Sequence, residues 1–163
     1  NHKNALIMGD AAHAIVPFHG QGMNCGFEDC FELNRLLDKH HDDWKIVMGL
    51  YTQARVHNAN AIADMALDNY IEMRDSVRDS KFHLKKAIAF KLENTYPNQF
   101  IPRYSMVMFH HIPYAVAQKR GQIQFDILDR LSTGITDIEQ LDMNLANQLL
   151  TQKLTVISDD DLQ

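Results

Sequence analysis

The feature that most constrains the fold of this chain is a glycine-rich stretch between a short apolar run and a helical pattern. The stretch reads GDAAHAIVPFHGQGMNCG, covers residues 9–26 and directly follows the apolar residues Ala5–Met8. A short apolar run bounded by glycines is typical of a buried strand that ends in a loop. Because a strand pairs its backbone with neighbouring strands, we expect its partners to lie upstream of residue 1. We therefore interpret the chain as the C-terminal part of a longer protein.

Downstream of this loop, almost every segment has the periodicity of a helix. The predicted helices run from Met23 to about His40, from about Asp43 to Met73 with a break near His57, around Leu84–Leu92 before Pro97 and Pro102, from Pro113 to Gly134, and from a capping box of Thr136 and Glu139 onward. In the first of them the apolar positions are Met23, Phe27, Cys30, Leu33 and Leu37, and the acidic residues Glu28, Asp29 and Glu32 fall on other faces. These patterns predict a mainly α chain with one short strand.

Composition excludes several classes of function. The 163 residues carry a formal net charge of -5, so we expect no nucleic-acid partner. No apolar run approaches the roughly 18 to 20 residues of a membrane span, which predicts a cytoplasmic protein without a transmembrane anchor. Cys25 and Cys30 match neither redox nor zinc spacing and read as free thiols. Adjacent histidines such as His40 and His41 point apart on a helix, so no metal site is expected.

The glycine-rich stretch itself has the chemistry of a ligand-binding loop. Asp10 follows the predicted strand, where open α/β sheets bind ligands, and its carboxylate can accept hydrogen bonds from two hydroxyl groups. The predicted helix start at Gln21–Asn24 offers unpaired N–H donors beside Gly20 and Gly26. These residues predict a nucleotide or anion site. A plain strand-to-helix turn, with Asp10 as a cap, is an equally weighted alternative from spacing alone.

The same stretch resembles the second flavin-binding motif of the FAD-dependent aromatic hydroxylases, in which GD is followed by Ala, His, Pro, GxGxN and an acidic helix. The resemblance implies that Asp10 binds the ribitol or ribose hydroxyls of FAD. It implies that the backbone at Gly20, Gln21, Gly22, Met23 and Asn24 faces the pyrimidine side of the isoalloxazine. Residues 1-42 would then end the FAD-binding domain of an α/β monooxygenase fold, and residues 43-163 would form a helical substrate-side and C-terminal region packed on it.

Three segments together look like the branch of this family whose substrate is an α-amino acid carrying an aromatic ketone. They are VPFHGQGMN, LDNYIEMRD and FIPRYSMVMF. The resemblance implies that Asn69 and Tyr104 hold the substrate carboxylate, and further substrate-binding positions are Phe18, His19, Met73 and Glu72. Taken alone, Asn69 reads as a cap for a backbone carbonyl and Tyr104 as a core tyrosine.

The activity implied is that of an FAD-dependent monooxygenase that uses NADPH and O2 to hydroxylate a small aromatic amino acid in tryptophan catabolism. The GxGxxG fingerprint is absent from these residues, so we expect this chain alone to bind FAD weakly or not at all and to be inactive. Its partner would be the missing N-terminal half of the same protein. Two alternatives stay open: another FAD-dependent hydroxylase or related flavin oxidoreductase, and a non-catalytic helical interaction module.

Overall fold

Helices dominate the computed structural model, which describes residues 5–76 and 79–158. Within these residues the helices are α1 (Gly22–Lys39), α2 (Trp44–Ile71), α3 (Ser80–Thr95), α4 (Arg103–Phe109), α5 (Tyr114–Leu131) and α6 (Met143–Lys153). Short 3-10 turns lie at Gly9–Ala11, Pro17–His19 and Ile138–Gln140, and a π-helical turn lies at Glu72–Ser76. The prediction of a mainly helical chain is confirmed.

The chain divides into two compact units, Asn1–Ile71 and Glu72–Gln163. The first contains the glycine-rich stretch, α1 and α2, and the second contains α3 to α6. Each unit has its own apolar core. The expected division into domains at residues 42 and 43 stays a prediction.

The strand predicted at Ala5–Met8 is wrong for the described residues. Only Ala5 has a β-bridge, and Met8 is extended, with φ -141° and ψ 165°, immediately before the first 3-10 turn. A ladder needs a neighbouring strand, and the described part of the chain contains none. Instead, Leu6 and Met8 pack against the core formed by α1 and α2, so the apolar run is anchored by its side chains.

The helix predicted from Met23 to about His40 is confirmed as α1, and the chain then reverses through His41 and Asp42, which have φ of 51° and 59°. Asp43 starts the next helix, because its Oδ1 accepts hydrogen bonds from the backbone N–H groups of Lys45 and Ile46 at 3.1 and 3.3 Å. A tight connection of this kind lets two consecutive helices pack against each other. Their shared core is centred on Leu36, Val47 and Tyr51.

The break predicted near His57 is also wrong, because α2 continues through that residue for 28 residues in all. Its buried positions follow one face at helical spacing, and they are Val47, Tyr51, Arg55, Ala59, Ala61, Ile62, Met65 and Ala66. A continuous buried face holds the helix together through His57, because no glycine or proline follows Gly49 in α2. The helix ends at Ile71, before the π-helical turn.

In the second unit, the sequence patterns locate α3 and α5 correctly but miss α4 and misplace one cap. Helix α4 begins after Pro102, whose carbonyl accepts from Met106 N at 2.9 Å, and it buries Met106 and Val107. The capping box is formed by Asp137 and Gln140 and starts a 3-10 turn, whereas the prediction used Thr136 and Glu139. A carboxylate is the stronger acceptor, which favours the position one residue later.

Helix α6 has a separate cap, Asp142, whose Oδ1 accepts from Asn144 N and Leu145 N at 2.9 and 3.1 Å. The extended segment after α6 is held to the loop before α4 by the buried side chain of Arg120 and the half-buried side chain of Gln99. Arg120 Nη2 donates to the carbonyl oxygens of Gln99 and Thr155, both at 2.9 Å. Gln99 Nε2 donates to Leu154 O at 2.8 Å. These bonds satisfy backbone groups outside regular helices.

Candidate functional site

Asp10 lies at the surface in the 3-10 turn Gly9–Ala11. Gly9 opens this turn with φ +56°, and its carbonyl accepts from Ala12 N and His13 N at 2.8 and 2.9 Å. No hydrogen bond joins the Asp10 carboxylate to another residue in the described part of the chain. An exposed carboxylate of this kind can accept hydrogen bonds from ligand hydroxyl groups.

The N-terminus of α1 follows the turn Pro17–His19 and Gly20, whose φ is +68°. Gln21 is the N-cap but makes no side-chain capping bond; its Oε1 instead accepts from Asn24 Nδ2 at 3.0 Å. The first backbone N–H groups of α1, starting at Gly22, therefore lack a side-chain cap at the positive end of an 18-residue helix. A Cβ added at Gly20 or Gly22 would meet no atom within 4 Å, so a ligand can approach this backbone.

These donors and acceptors define the chemistry that the first unit offers. A carboxylate suits hydroxyl groups, and uncapped N–H groups at a helix N-terminus suit a negative charge. A flavin dinucleotide carries both features, a hydroxyl-bearing ribitol and a ring that becomes anionic on reduction, so the residues present fit FAD. Of the residues predicted to bind FAD, Gln21 is buried, whereas Asp10, Gly20, Met23 and Asn24 are exposed.

Two predicted substrate residues of the first unit contact each other. Asn69 Nδ2 donates a hydrogen bond to the carbonyl oxygen of Phe18 at 2.6 Å. The ring of Phe18 also lies 4.5 Å from the ring of Tyr70, measured between centroids. His19, next in the turn, is buried. The structure thus brings Asn69 to the turn before α1. Its amide caps a backbone carbonyl, which is the interpretation that Asn69 has without the family resemblance. Binding of substrate by these residues stays a prediction.

The remaining predicted substrate residues lie in the second unit. Glu72 and Met73 belong to the π-helical turn, and Met73 is exposed. Tyr104 is in the first turn of α4, about half exposed, with its ring edge-on to Phe109 at 6.4 Å. A half-exposed tyrosine on a short helix is not a core residue, so the interpretation of Tyr104 as core filling is wrong.

A buried network of charged side chains lies under the Gly9 turn. Asp29 Oδ2 is 2.9 Å from Gly9 N and 2.6 Å from His13 Nε2, and Asp29 Oδ1 is 2.6 Å from Arg55 Nε. Arg55 also donates to Glu28 Oε2 at 2.9 Å and to the carbonyl of Cys25 at 3.1 Å. Asp29 and Arg55 are both buried, so this is an internal network that joins the turn, α1 and α2.

The network fixes the charge states of its members. Burial by itself would raise the pKa of Asp29, but hydrogen bonds from Gly9 N, His13 and Arg55 outweigh it and lower that pKa below its ordinary value. Burial likewise opposes the charge of Arg55, while Asp29 and Glu28 raise its pKa. Asp29 is therefore an anion, and since a carboxylate only accepts, His13 donates from Nε2. Burial raises the pKa of Cys25 to about 11, so this side chain is a thiol.

His13, Cys25 and Asp29 place ligand-type atoms within 4.8 Å of one another. A metal ion does not fit there, because the Arg55 guanidinium already occupies Asp29 Oδ1 and lies 3.4 Å from Cys25 Sγ. A second positive charge would be repelled, and a protonated thiol is a poor ligand. The expectation that the chain binds no metal stays a prediction.

Sequence reasoning missed the two central members of this network. The periodicity of α1 put Asp29 on a polar face, yet Asp29 is buried while the apolar residues Met23 and Phe27 are exposed. Arg55 could have indicated the network from the sequence, because this cation lies on the buried face of α2 between Tyr51 and Ala59. A buried arginine needs a buried acid, and Asp29 supplies it.

The match with known families agrees with this chemistry. Residues 1–66 match the family described as the FAD binding domain. The matched segment includes Asp10, the N-terminus of α1 and the Asp29–Arg55 pair. Residues 1–66 are thus similar to an FAD-binding domain, as the resemblance had implied.

Curated proteins that are similar to most of this chain are named kynurenine 3-monooxygenase. The chain is 47% identical over 150 residues to the kynurenine 3-monooxygenase of Myxococcus xanthus (strain DK1622), covering 92% of this chain and 32% of that protein. It is 47% identical over 138 residues to the kynurenine 3-monooxygenase of Xanthomonas campestris pv. campestris (strain B100), covering 85% of this chain and 30% of that protein. It is 43% identical over 153 residues to the kynurenine 3-monooxygenase of Stenotrophomonas maltophilia (strain K279a), covering 94% of this chain and 33% of that protein.

The chain spans about a third of the length of these curated relatives. The resemblance to FAD-dependent aromatic hydroxylases is confirmed over most of this chain. The two alternatives, a different flavin oxidoreductase and a helical interaction module, are not favoured by these names. Among the described residues, no helix has the length and apolar character required to cross a bilayer.

Proposed function

We propose that this chain is the C-terminal part of an FAD-dependent monooxygenase that hydroxylates L-kynurenine to 3-hydroxykynurenine with NADPH and O2. The observation that carries the proposal is its similarity to kynurenine 3-monooxygenases, at 47% identity over 92% of the chain. Bound FAD supplies the redox chemistry, by accepting hydride from NADPH and activating O2. The residues of this chain bind and orient FAD and the substrate, and they exclude water from the site.

The roles of the FAD-binding residues are those that the resemblance implies, and the geometry of the first unit supports them. Asp10 accepts hydrogen bonds from the ribitol or ribose hydroxyls of FAD. The backbone at Gly20, Gln21, Gly22, Met23 and Asn24 faces the pyrimidine side of the ring, where the dipole of α1 stabilises negative charge. An exposed carboxylate and an uncapped helix N-terminus support these assignments.

The substrate is a small aromatic amino acid whose carboxylate contacts Asn69 and Tyr104. The resemblance assigns further contacts with the substrate to Phe18, His19 and Met73, and a supporting polar role to Glu72. Tyr104 supports this role because its side chain is about half exposed on α4. Asn69 supports it through its bond to Phe18 O, which ties the two candidate substrate residues together.

The test uses the full-length protein. The purified protein should carry flavin absorbance near stoichiometry and convert kynurenine to 3-hydroxykynurenine with consumption of NADPH. Asp10→Asn should reduce flavin content, whereas Asp38→Asn, an exposed acid on α1 that accepts from Asn34 at 3.1 Å, should not. A full-length protein without flavin, or with flavin but no hydroxylated product, contradicts the proposal.

The 163-residue chain by itself should bind FAD weakly or not at all and should not hydroxylate. It lacks the GxGxxG fingerprint that holds the dinucleotide of FAD. Stoichiometric flavin on the isolated chain would refute this expectation.

A further inference from the structure

The segment that carries Asp10 is held at both of its ends by one carboxylate oxygen. Asp29 Oδ2 accepts from Gly9 N at 2.9 Å and from His13 Nε2 at 2.6 Å. Asp10 lies between these two contacts and has no hydrogen bond to other residues in the described ranges. The direction of its side chain therefore depends on the backbone of residues 9–13.

Asp29 can hold this segment only if its own carboxylate is fixed. Arg55 Nε binds the other oxygen, Oδ1, at 2.6 Å, and Arg55 Nη2 binds the carbonyl of Cys25, on α1, at 3.1 Å. Because the guanidinium is planar and rigid, its bonds to Cys25 and Glu28 hold Nε in place. Nε in turn fixes Oδ1, while Oδ2 accepts from Gly9 and His13. The buried ion pair between α1 and α2 thus determines where the Gly9 turn lies.

We propose that Asp29 and Arg55 are positioning residues for FAD, which act by holding the Gly9–His13 segment so that Asp10 faces the hydroxyl groups of the cofactor. They lie below the turn and do not contact FAD. The inference rests on the proposed function, because it assigns Asp10 to FAD. A segment that samples several conformations binds with an affinity reduced by the fraction that is competent. Loosening the pair therefore weakens FAD binding through Asp10.

The experiment is a double-mutant cycle in the full-length protein, with FAD affinity measured by titration of the apoprotein and followed by flavin fluorescence. The proteins are the wild type, Arg55→Lys, Asp10→Asn and the double variant. Arg35→Lys is the matched control, since Arg35 pairs with Glu32 at 2.7 Å at the surface of α1. The melting temperature of each apoprotein is recorded alongside.

Arg55→Lys is expected to raise the Kd for FAD roughly tenfold or more, because a lysine ammonium lacks the planar fork that binds Asp29, Glu28 and the Cys25 carbonyl together. Arg35→Lys is expected to leave the Kd within about twofold. In the Asp10→Asn background, Arg55→Lys should change the Kd less than about twofold, because the contact that it positions is already lost. A purely structural role would not produce this dependence on Asp10.

Equal effects of Arg55→Lys in both backgrounds, or an unchanged Kd in a protein that binds FAD, overturn the inference and leave the proposed function standing. A wild-type protein that binds no FAD overturns both. If Arg55→Lys does not fold, His13→Ala removes one end of the support while leaving the Asp29–Arg55 pair in place. In the same double-mutant cycle, an effect of His13→Ala on the Kd for FAD that depends on Asp10 supports the inference, and an equal effect in both backgrounds overturns it.

Discussion

Arg55 on α2 and Asp29 on α1 form a buried ion pair, with Arg55 Nε 2.6 Å from Asp29 Oδ1. The side chain of Asp29 is 1% exposed and that of Arg55 is 9% exposed. Such a pair is expensive to separate, because either charge left alone in the interior loses both water and its partner. It also continues to the Gly9 turn through Asp29 Oδ2, so the stability of the first unit and the geometry of the candidate FAD site depend on the same carboxylate.

Replacing Arg55 should destabilise the protein strongly. Arg55→Met leaves the Asp29 carboxylate buried without its cation and is expected to lower the free energy of unfolding by roughly 3 to 5 kcal/mol. The measurement is urea unfolding followed by circular dichroism. Arg35→Met, at the exposed pair with Glu32, should cost less than about 1 kcal/mol. Equal losses in the two variants would show that burial of the Arg55 pair has no special weight.

Asp29 should also make stability depend on pH in the acid range. Its pKa in the folded protein is lowered below the ordinary 3.8, so the unfolded chain binds a proton more readily. The contribution is therefore fully present well above pH 3.8 and is lost as the pH falls through the folded pKa. Unfolding free energies from pH 6 to about pH 3 should fall less steeply in Asp29→Asn than in the wild type. Parallel curves would contradict the assignment.

Two helical glycines should respond in opposite ways to alanine. A Cβ at Gly121 on α5 would lie 2.5 Å from Arg103 Cδ and 2.9 Å from Arg103 Cγ, so Gly121→Ala should destabilise by about 1 to 3 kcal/mol. A Cβ at Gly49 on α2 meets nothing within 4 Å, and Gly49→Ala should stabilise by about 0.5 to 1 kcal/mol. Thermal unfolding of both variants checks the pair. A shift of the same sign in both would contradict the packing at Gly121.

The two cysteines should differ in reactivity. Cys25 is buried and its pKa is raised to about 11, whereas Cys30 is exposed on the same helix. Because the thiolate is the reactive form, a maleimide at pH 8 should label Cys30 rapidly and Cys25 only after denaturation. Peptide mapping by mass spectrometry distinguishes the sites, with Cys30→Ser as the control. Rapid labelling of Cys25 in the folded protein would be inconsistent with its burial.

Under the proposed function, Tyr104 should affect substrate binding in the full-length protein. If its hydroxyl donates to the substrate carboxylate, Tyr104→Phe removes a charge-assisted hydrogen bond and should raise the KM for kynurenine roughly tenfold or more. The matched control is Tyr96→Phe, at the end of α3, where the ring packs against the core of the second unit. Steady-state kinetics measure the effect. An unchanged KM for Tyr104→Phe would remove this residue from the proposed site.

Local patterns in the sequence were sufficient for most of the helices. Apolar residues at helical spacing predicted α1, α3 and α5. The reason is that residues three and four positions apart lie on the same face of a helix, so the pattern is visible in a short stretch of sequence. Resemblance of short segments likewise located the candidate FAD loop around Asp10. Two predictions that failed, the strand at Ala5–Met8 and the break near His57, concerned segments whose state depends on distant packing.

The sequence by itself thus determined the helical character of the chain and the motif that carries Asp10, since both are written in neighbouring residues. Only the tertiary structure decided that Asp29 points inward, that Arg55 meets it from 26 residues away, and that Asn69 reaches the carbonyl of Phe18 from 51 residues away. The physical reason is that the cost of burying a charge depends on whether an opposite charge arrives at the same place. Helical spacing places Asp29 and Arg55 on their helices, and only the packing of α1 against α2 brings their side chains together.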